Sequence, residues 1–168
     1  MFPVIEIGSE GEAFILYTHD PVPGSTTAED GDIRFVSSLS APYNAWSMPT
    51  TVSDDSSGKA QGFPALVIGN GGQLIAMWED HRLSSDNNLF YDCFSSQKTR
   101  GSDWFSNIRV SDDSSISDFI FIGDYLDLTL TNTNVFGIWT DRSEMSSIFD
   151  LEDNVYGSLI IASGRPRD

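Results

Sequence analysis

Three aromatic residues mark the chain at a constant interval: Tyr17, Trp78 and Trp139 are each separated from the next by 61 positions. Each closes an apolar run (EAFILY, QLIAMW and NVFGIW), and each is followed within three residues by an aspartate: Asp20, Asp80 and Asp141. A period of this length means that one supersecondary unit is used several times, and it restricts the chain to repeat architectures.

The repeat extends beyond its marker. Phe2 to Tyr17 lies over Phe63 to Trp78 without a gap, with identities at Phe2/Phe63, Pro3/Pro64, Ile7/Ile68, Gly8/Gly69 and Gly11/Gly72. Each copy reads as strand, Gly-containing turn, strand, the pattern of a β-hairpin. The third copy, GDYLDLTLTNTNVFGIW, turns through TNTN, where Asn tolerates the left-handed conformation such turns need. A polar loop follows each marker, and then another alternating run: DIRFVSS, NLFYDCFSS and NVYGSLIIAS. Trp46 and Trp104 then open a fourth short strand, and VSDDSS ends both units, its copies 58 residues apart from Val52 to Val110. No convincing 3.6-residue period occurs; the one helical candidate, Ser143 to Asp153, sits where a loop belongs.

The expected fold is all-β, with about four antiparallel strands per unit. Four-stranded units in series are the signature of a β-propeller. A sandwich suits the strand spacing as well, but two packed sheets give no reason for one four-strand pattern to recur at constant length. The units span about residues 2–55, 56–113 and 114–162, and the last lacks its fourth strand. Propellers use roughly four to eight blades. The expectation is therefore a partial propeller across residues 1–168, completed by further blades of a longer chain or by a second copy.

Charge narrows the partners. Nine Lys and Arg oppose 25 Asp and Glu, for a formal charge of −16 and a pI near 4.1. Nucleic acid is disfavoured, because phosphate binding needs a clustered basic surface, and so is an anionic membrane surface. Acidity of this kind keeps a protein soluble, or else marks a cation-binding face. No apolar stretch approaches the ~18–20 residues of a membrane span, so no membrane insertion is expected. The single cysteine, Cys93, cannot form an internal disulfide and has no metal-type partner spacing. The start, MFPVIEIGSE, lacks the charged beginning and apolar core of a signal peptide.

In an up-and-down meander the loops after strands two and four leave on one face. That places His19, Asp20, Glu79, Asp80, His81, Arg82, Asp141 and Arg142 together with Asp54, Asp55, Asp112 and Asp113, leading towards Asp124 and Tyr125. The sharpest motif is Trp-x-Asp with an arginine just beyond, in WEDHR and WTDR. It reads either as a substrate-facing pair, the Arg holding a carboxylate and the Asp acting as acid or base, or as an ion pair that fixes each unit's corner. The second reading is preferred, because the motif recurs once per unit whereas a ring enzyme needs one catalytic acid. The Asp54–Asp55 and Asp112–Asp113 pairs offer calcium some of its six to eight oxygens, although Asp/Ser/Gly tracts also form ordinary turns. His19 and His81 have no third ligand in view, so zinc is not expected. No nucleophile elbow, phosphate loop or dinucleotide fingerprint implies a cofactor.

The stretch LIAMWEDHR…NNLFYDCFSS…W…NIRVSDD, followed by FIGDYLDLTLTNTNVFGIWTDRS, resembles the bacterial-neuraminidase repeats of sialidase-like β-propellers, over about Ala60 to Ala162. The family's Asp-box turn would precede Trp46 and Trp104. Gly101 and Trp104 fit it, Thr99 stands where the Asp belongs, and before Trp46 the Gly is missing. The resemblance implies a surface or extracellular protein that binds glycans or proteins, with a fragment of an exo-sialidase-like glycoside hydrolase as the alternative. Catalytic members use an arginine triad, a Tyr nucleophile assisted by Glu, and an Asp acid/base. Their Phe/Tyr-Arg-Ile-Pro signature is absent here; Tyr125, Asp124 and Glu79 could be cast in those roles, but nothing assigns them. The ligand-face candidates are Asp80, Arg82, Asp124, Tyr125, Asp141 and Arg142.

Overall fold

The computed structural model describes residues 3–20, 31–69, 71–85, 88–117, 125–131, 134–144 and 154–160. Among these the chain is all-β, without a helix, in three antiparallel sheets. The first contains β1 (Val4–Ile7), β2 (Ala13–His19), β3 (Asp32–Ser38) and β4 (Thr50–Thr51), in that order. The second contains β5 (Gln61–Ile68), β6 (Leu74–Asp80), β7 (Phe90–Lys98) and β8 (Ile108–Arg109), with β9 (Ser115–Ile116) also paired to β7. The third contains β10 (Leu126–Leu130), β11 (Val135–Asp141) and β12 (Asn154–Ile160).

The sequence repeat is a repeat of register. Val4 pairs with Leu16 and Ile5 with Ile15; 61 positions on, Ala65 pairs with Met77 and Leu66 with Ala76. In β10 and β11, Leu128 opposite Gly137 takes the place of Leu66 opposite Ala76. The repeated glycines have distinct physical causes. Gly11 and Gly72 adopt φ of 85° and 78°, a left-handed conformation that closes each hairpin without the steric cost of a Cβ. At Gly8 and Gly69 the following Glu12 and Gln73 fold back over the backbone. A Cβ there would come within 2.4 Å of Glu12 Oε2 or 2.6 Å of Gln73 Cγ.

Since strand side chains alternate between faces, each sheet has two distinct packing surfaces. Val4, Phe14, Leu16, Ile33, Phe35 and Val52 of the first sheet pack on Leu66, Leu74, Ala76, Trp78, Phe94 and Trp104 of the second. The second sheet's other face (Ala65, Ile75, Met77, Cys93) packs on Leu128, Val135, Trp139 and Ile160 of the third. Each marker tryptophan is thus turned towards the sheet that precedes it.

Two expectations need correction. Trp46 does not open a strand: it is exposed, its Nε1 donates to the Tyr43 carbonyl at 2.9 Å, and β4 begins only at Thr50. Pro49 lacks the N–H that the ladder needs, so pairing starts after it. β8 is likewise two residues long, joined to the buried Trp104 by an irregular segment. The recurring VSDDSS is a latch on the third strand. Val52 N and Val110 N donate to Ile33 O and Cys93 O, at 2.8 and 2.7 Å, while Ser53 Oγ and Ser111 Oγ accept from the amides of the same two residues. The helical candidate falls largely on 145–153, outside the described residues.

Candidate functional site

Asp80 ends β6, two residues beyond Trp78 and on the same face. Its Oδ2 accepts from Trp78 Nε1 at 2.8 Å and from Arg82 Nη2 at 2.7 Å; its Oδ1 accepts from the Arg82 amide and from Arg82 Nε, both at 2.9 Å. Four donors occupy the roughly four acceptor positions of a carboxylate. Arg82 then reaches across to the first sheet's exit, donating to Asp54 Oδ1 at 2.8 Å and to Asn107 Oδ1 at 3.0 Å, with its guanidinium 4.2 Å above the Phe94 ring. Asn107 ties the same two units again. It donates to Asp54 Oδ2 and to the Val52 carbonyl, at 2.9 and 3.0 Å, and accepts from the Asp54 amide at 2.7 Å. Burial opposes the charge on Arg82, but Asp80 and Asp54 outweigh it and hold its pKa above the ordinary value.

The third unit builds its corner differently. Trp139 Nε1 donates to Asp141 Oδ2 at 3.0 Å, but Asp141 Oδ1 accepts from the amide and hydroxyl of Ser143, not from an arginine. Arg142 is buried, and its amide donates to Ser115 Oγ at 3.2 Å. Tyr125 is exposed, and its carbonyl accepts from the Thr140 amide at 3.1 Å. Asp124 lies outside the described residues. Asp80 and Arg82 are therefore brought together, and Asp141 and Arg142 are not paired in the same way.

Of the calcium candidates, Asp54 faces Arg82 and Asn107, while Asp55 accepts from the Ser57 hydroxyl at 2.6 Å and from Gln61 Nε2 at 3.1 Å. Burial raises the Asp55 pKa, but the Ser57 and Gln61 hydrogen bonds and the Arg82 charge leave it below the usual carboxylate value. Asp112 and Asp113 are exposed. Among the described residues, no three His, Cys, Asp or Glu side chains gather as a metal site requires. Nor is any helix long and apolar enough to cross a membrane.

Two features escaped the sequence reading. Asp92, on β7 opposite Asp80, is buried and accepts from Arg109 Nε at 2.8 Å, Ser111 Oγ at 3.0 Å and Ser114 Oγ at 2.9 Å. The signal was there: pairing LIAMWED against NLFYDCF in antiparallel register sets the two aspartates side by side. The second feature is a cleft of about 890 Å³ at the hairpin ends of the sheets, away from the Trp-x-Asp corners. One strand of seven residues separates the two ends, about 20 Å at the rise of a β-strand. Phe14, Leu39, Ile68 and Leu128 supply its apolar wall, while Glu6, Glu12, Lys98 and Arg100 supply its charge. Arg100 holds Glu10 through two hydrogen bonds, at 2.7 and 3.0 Å, and lies 3.1 Å from Glu12. An apolar wall with a few polar groups at the rim is the usual composition of a ligand site.

No family model and no curated protein matches this chain.

Proposed function

We propose that this chain is a non-catalytic segment of a sialidase-like β-propeller that binds a carbohydrate or protein ligand, outside the cell or at its surface. The observation that carries the non-catalytic reading is the saturation of Asp80. An acid or base must exchange its proton with a substrate within hydrogen-bond reach. Both oxygens of Asp80 are instead committed to Trp78 and Arg82, and Arg82 is committed to Asp80, Asp54 and Asn107. A substrate carboxylate would have to displace partners that also join two sheets. The propeller reading is supported by meandering sheets of matching register stacked front to back.

The hairpin-end cleft is the place for a ligand under this reading. Its mixed rim suits a polyol or a short peptide, where hydroxyls and amides meet Glu6, Glu12 and Lys98 above an apolar floor. Titration with sialyllactose, unsialylated lactose and an unrelated peptide, followed by amide NMR shifts, tests it. Shifts concentrated in residues 8–12, 69, 71–72 and 98–101 support the assignment. Release of fluorophore from a fluorogenic sialoside would overturn the non-catalytic reading and favour the hydrolase fragment.

A further inference from the structure

The first and second sheets repeat one ladder, yet three side chains at the hairpin-end cleft depart from it. Glu6 pairs across its hairpin with Phe14, and 61 positions on Val67 pairs with Ile75. Glu12 precedes β2 where the later copy has Gln73 before β6. In the second sheet these places are apolar or neutral, and Val67 and Ile75 pack in the core against the third sheet. In the first sheet they carry two carboxylates and an aromatic ring, and all three line the cleft.

Strand alternation sets Val4, Glu6 and Gly8 on the surface turned to the second sheet. A Cβ on Gly8 would meet Glu12 Oε2 at 2.4 Å and Phe14 Cε2 at 3.2 Å, so carboxylate and ring converge over this bare position. Phe14 in turn stacks on Phe35, with ring centroids 6.2 Å apart and planes 18° from parallel. The charges around the two rings are unevenly matched. Arg100 is taken by Glu10 and Glu12, and Lys98 Nζ donates to the Ser102 carbonyl. Glu6 is half-buried, and among the described residues nothing pairs with its carboxylate.

A carboxylate in this position, beside a stacked aromatic pair, calls for a cation with N–H donors. An ammonium donates a charge-assisted hydrogen bond, roughly twice as strong as a neutral one, and an aromatic face attracts it as well. The formal charge of −16 raises the local concentration of cations. The remaining wall of Leu39, Ile68 and Leu128 suits an aliphatic stem better than a ring of hydroxyls. We propose that the cleft takes the lysine side chain of a peptide, with its ammonium on Glu6 beside Phe14 and its methylenes along the apolar wall. The inference rests on the reading of the cleft as a ligand site, and it names the chemistry of the ligand.

The test is titration of the full chain with Nα-acetyl-lysine methylamide and with its norleucine counterpart, which keeps the stem and lacks the ammonium. Amide NMR shifts at residues 6–9, 12–14 and 98–101 report occupancy. The lysine probe should bind about tenfold more tightly, the scale of one charge-assisted hydrogen bond at a partly exposed site. Raising NaCl from about 0.05 to about 0.5 M should erase most of that difference. Glu6→Gln should abolish it and leave norleucine binding unchanged. Thermal melts check that the variant folds; if it does not, Glu6→Val, which copies the second unit, takes its place, and the salt response needs no variant. Equal affinities for the two probes, or a lysine preference that survives the loss of Glu6, overturn the proposal. So does tighter binding of glucosamine, whose ammonium sits on a sugar ring. In each of these cases the cleft still binds and the ligand-site reading stands. Absence of cleft shifts with every probe, lactose and sialyllactose included, removes both.

Discussion

Asp80 and Asp92 stand directly opposite each other on β6 and β7, both fully buried, and each is held by its own guanidinium. Arg82 neutralises the first across the junction with the preceding unit, and Arg109 neutralises the second within its own sheet. Like charges facing each other across a strand pair are destabilising. The two arginines are what make the arrangement tolerable.

Removing one of them exposes that conflict. Arg82→Met leaves Asp80 without its charge partner in a dry site, and breaking a buried pair in this way costs about 3–5 kcal/mol. A urea melt should show the midpoint falling accordingly. Arg100→Met, which breaks the solvent-exposed pair with Glu10, should leave the midpoint in place. Equal losses from both variants would refute a special role for the Trp-x-Asp-Arg corner.

The hairpin glycines make a second, purely steric prediction. Gly72→Ala places a Cβ on a residue with φ of 78°, in open space, so the cost is conformational alone, about 1–2 kcal/mol. Gly72→Asn should cost less, because Asn visits this region more readily. Thermal melts of the two variants check the ordering.

His81 gives the pH dependence. Burial lowers its pKa below the usual 6.5, against the opposing pull of the Phe90 carbonyl and of the nearby Asp80 and Asp92. The unfolded chain therefore binds the proton more readily than the folded one, and stability is lost as pH falls below about 6.5 towards the lower, folded-state value. His81→Gln should flatten this part of the profile. The informative quantity is the difference between the two proteins, because the chain's carboxylates titrate in both. Parallel profiles would show that His81 is not the cause.

Cys93 should be chemically silent. It is fully buried in the core between the second and third sheets, and burial, with Glu79 and Asp141 close by, pushes its pKa well up. The thiolate is the reactive form. A disulfide-exchange reagent should modify it only as fast as the protein opens, so the rate should rise with urea along with the unfolding rate. Rapid modification of the native chain would contradict this packing.

The parts legible in the sequence were those governed by local rules. The 61-residue interval, the Gly11 and Gly72 turns and the alternation of NLFYDCFSS carry their own steric and periodic signals, and β1–β3, β5–β7 and β10–β12 stand within a few residues of where those signals place them. The nearness of Asp80 to Arg82 was legible because the two stand two residues apart at the end of one strand, whereas the same motif in the third unit, Asp141 and Arg142, is not paired in that way. The identity of the residues across the junction was not legible. Asp54 and Asn107 lie 28 and 25 residues from Arg82, and only the packing of one sheet on the next brings them there. β4 and β8 came out shorter than expected, because Pro49 and the segment after Trp104 withdraw from the ladder. The hairpin-end cleft was invisible because it belongs to no segment; it is the space left between three sheets.

The contact between Met77 and Gly137 carries a consequence for how such a chain can be rearranged. A Cβ on Gly137 would come within 2.7 Å of Met77 Sδ, so a side chain there would require the flexible end of Met77 to move aside. The position 61 residues earlier is Ala76, which already carries the methyl that Gly137 lacks. A protein rebuilt with the middle unit in tandem would press methionine against that methyl. The units share a ladder, but each junction is packed by its own side chains, so exchanging units would call for repacking at Met77.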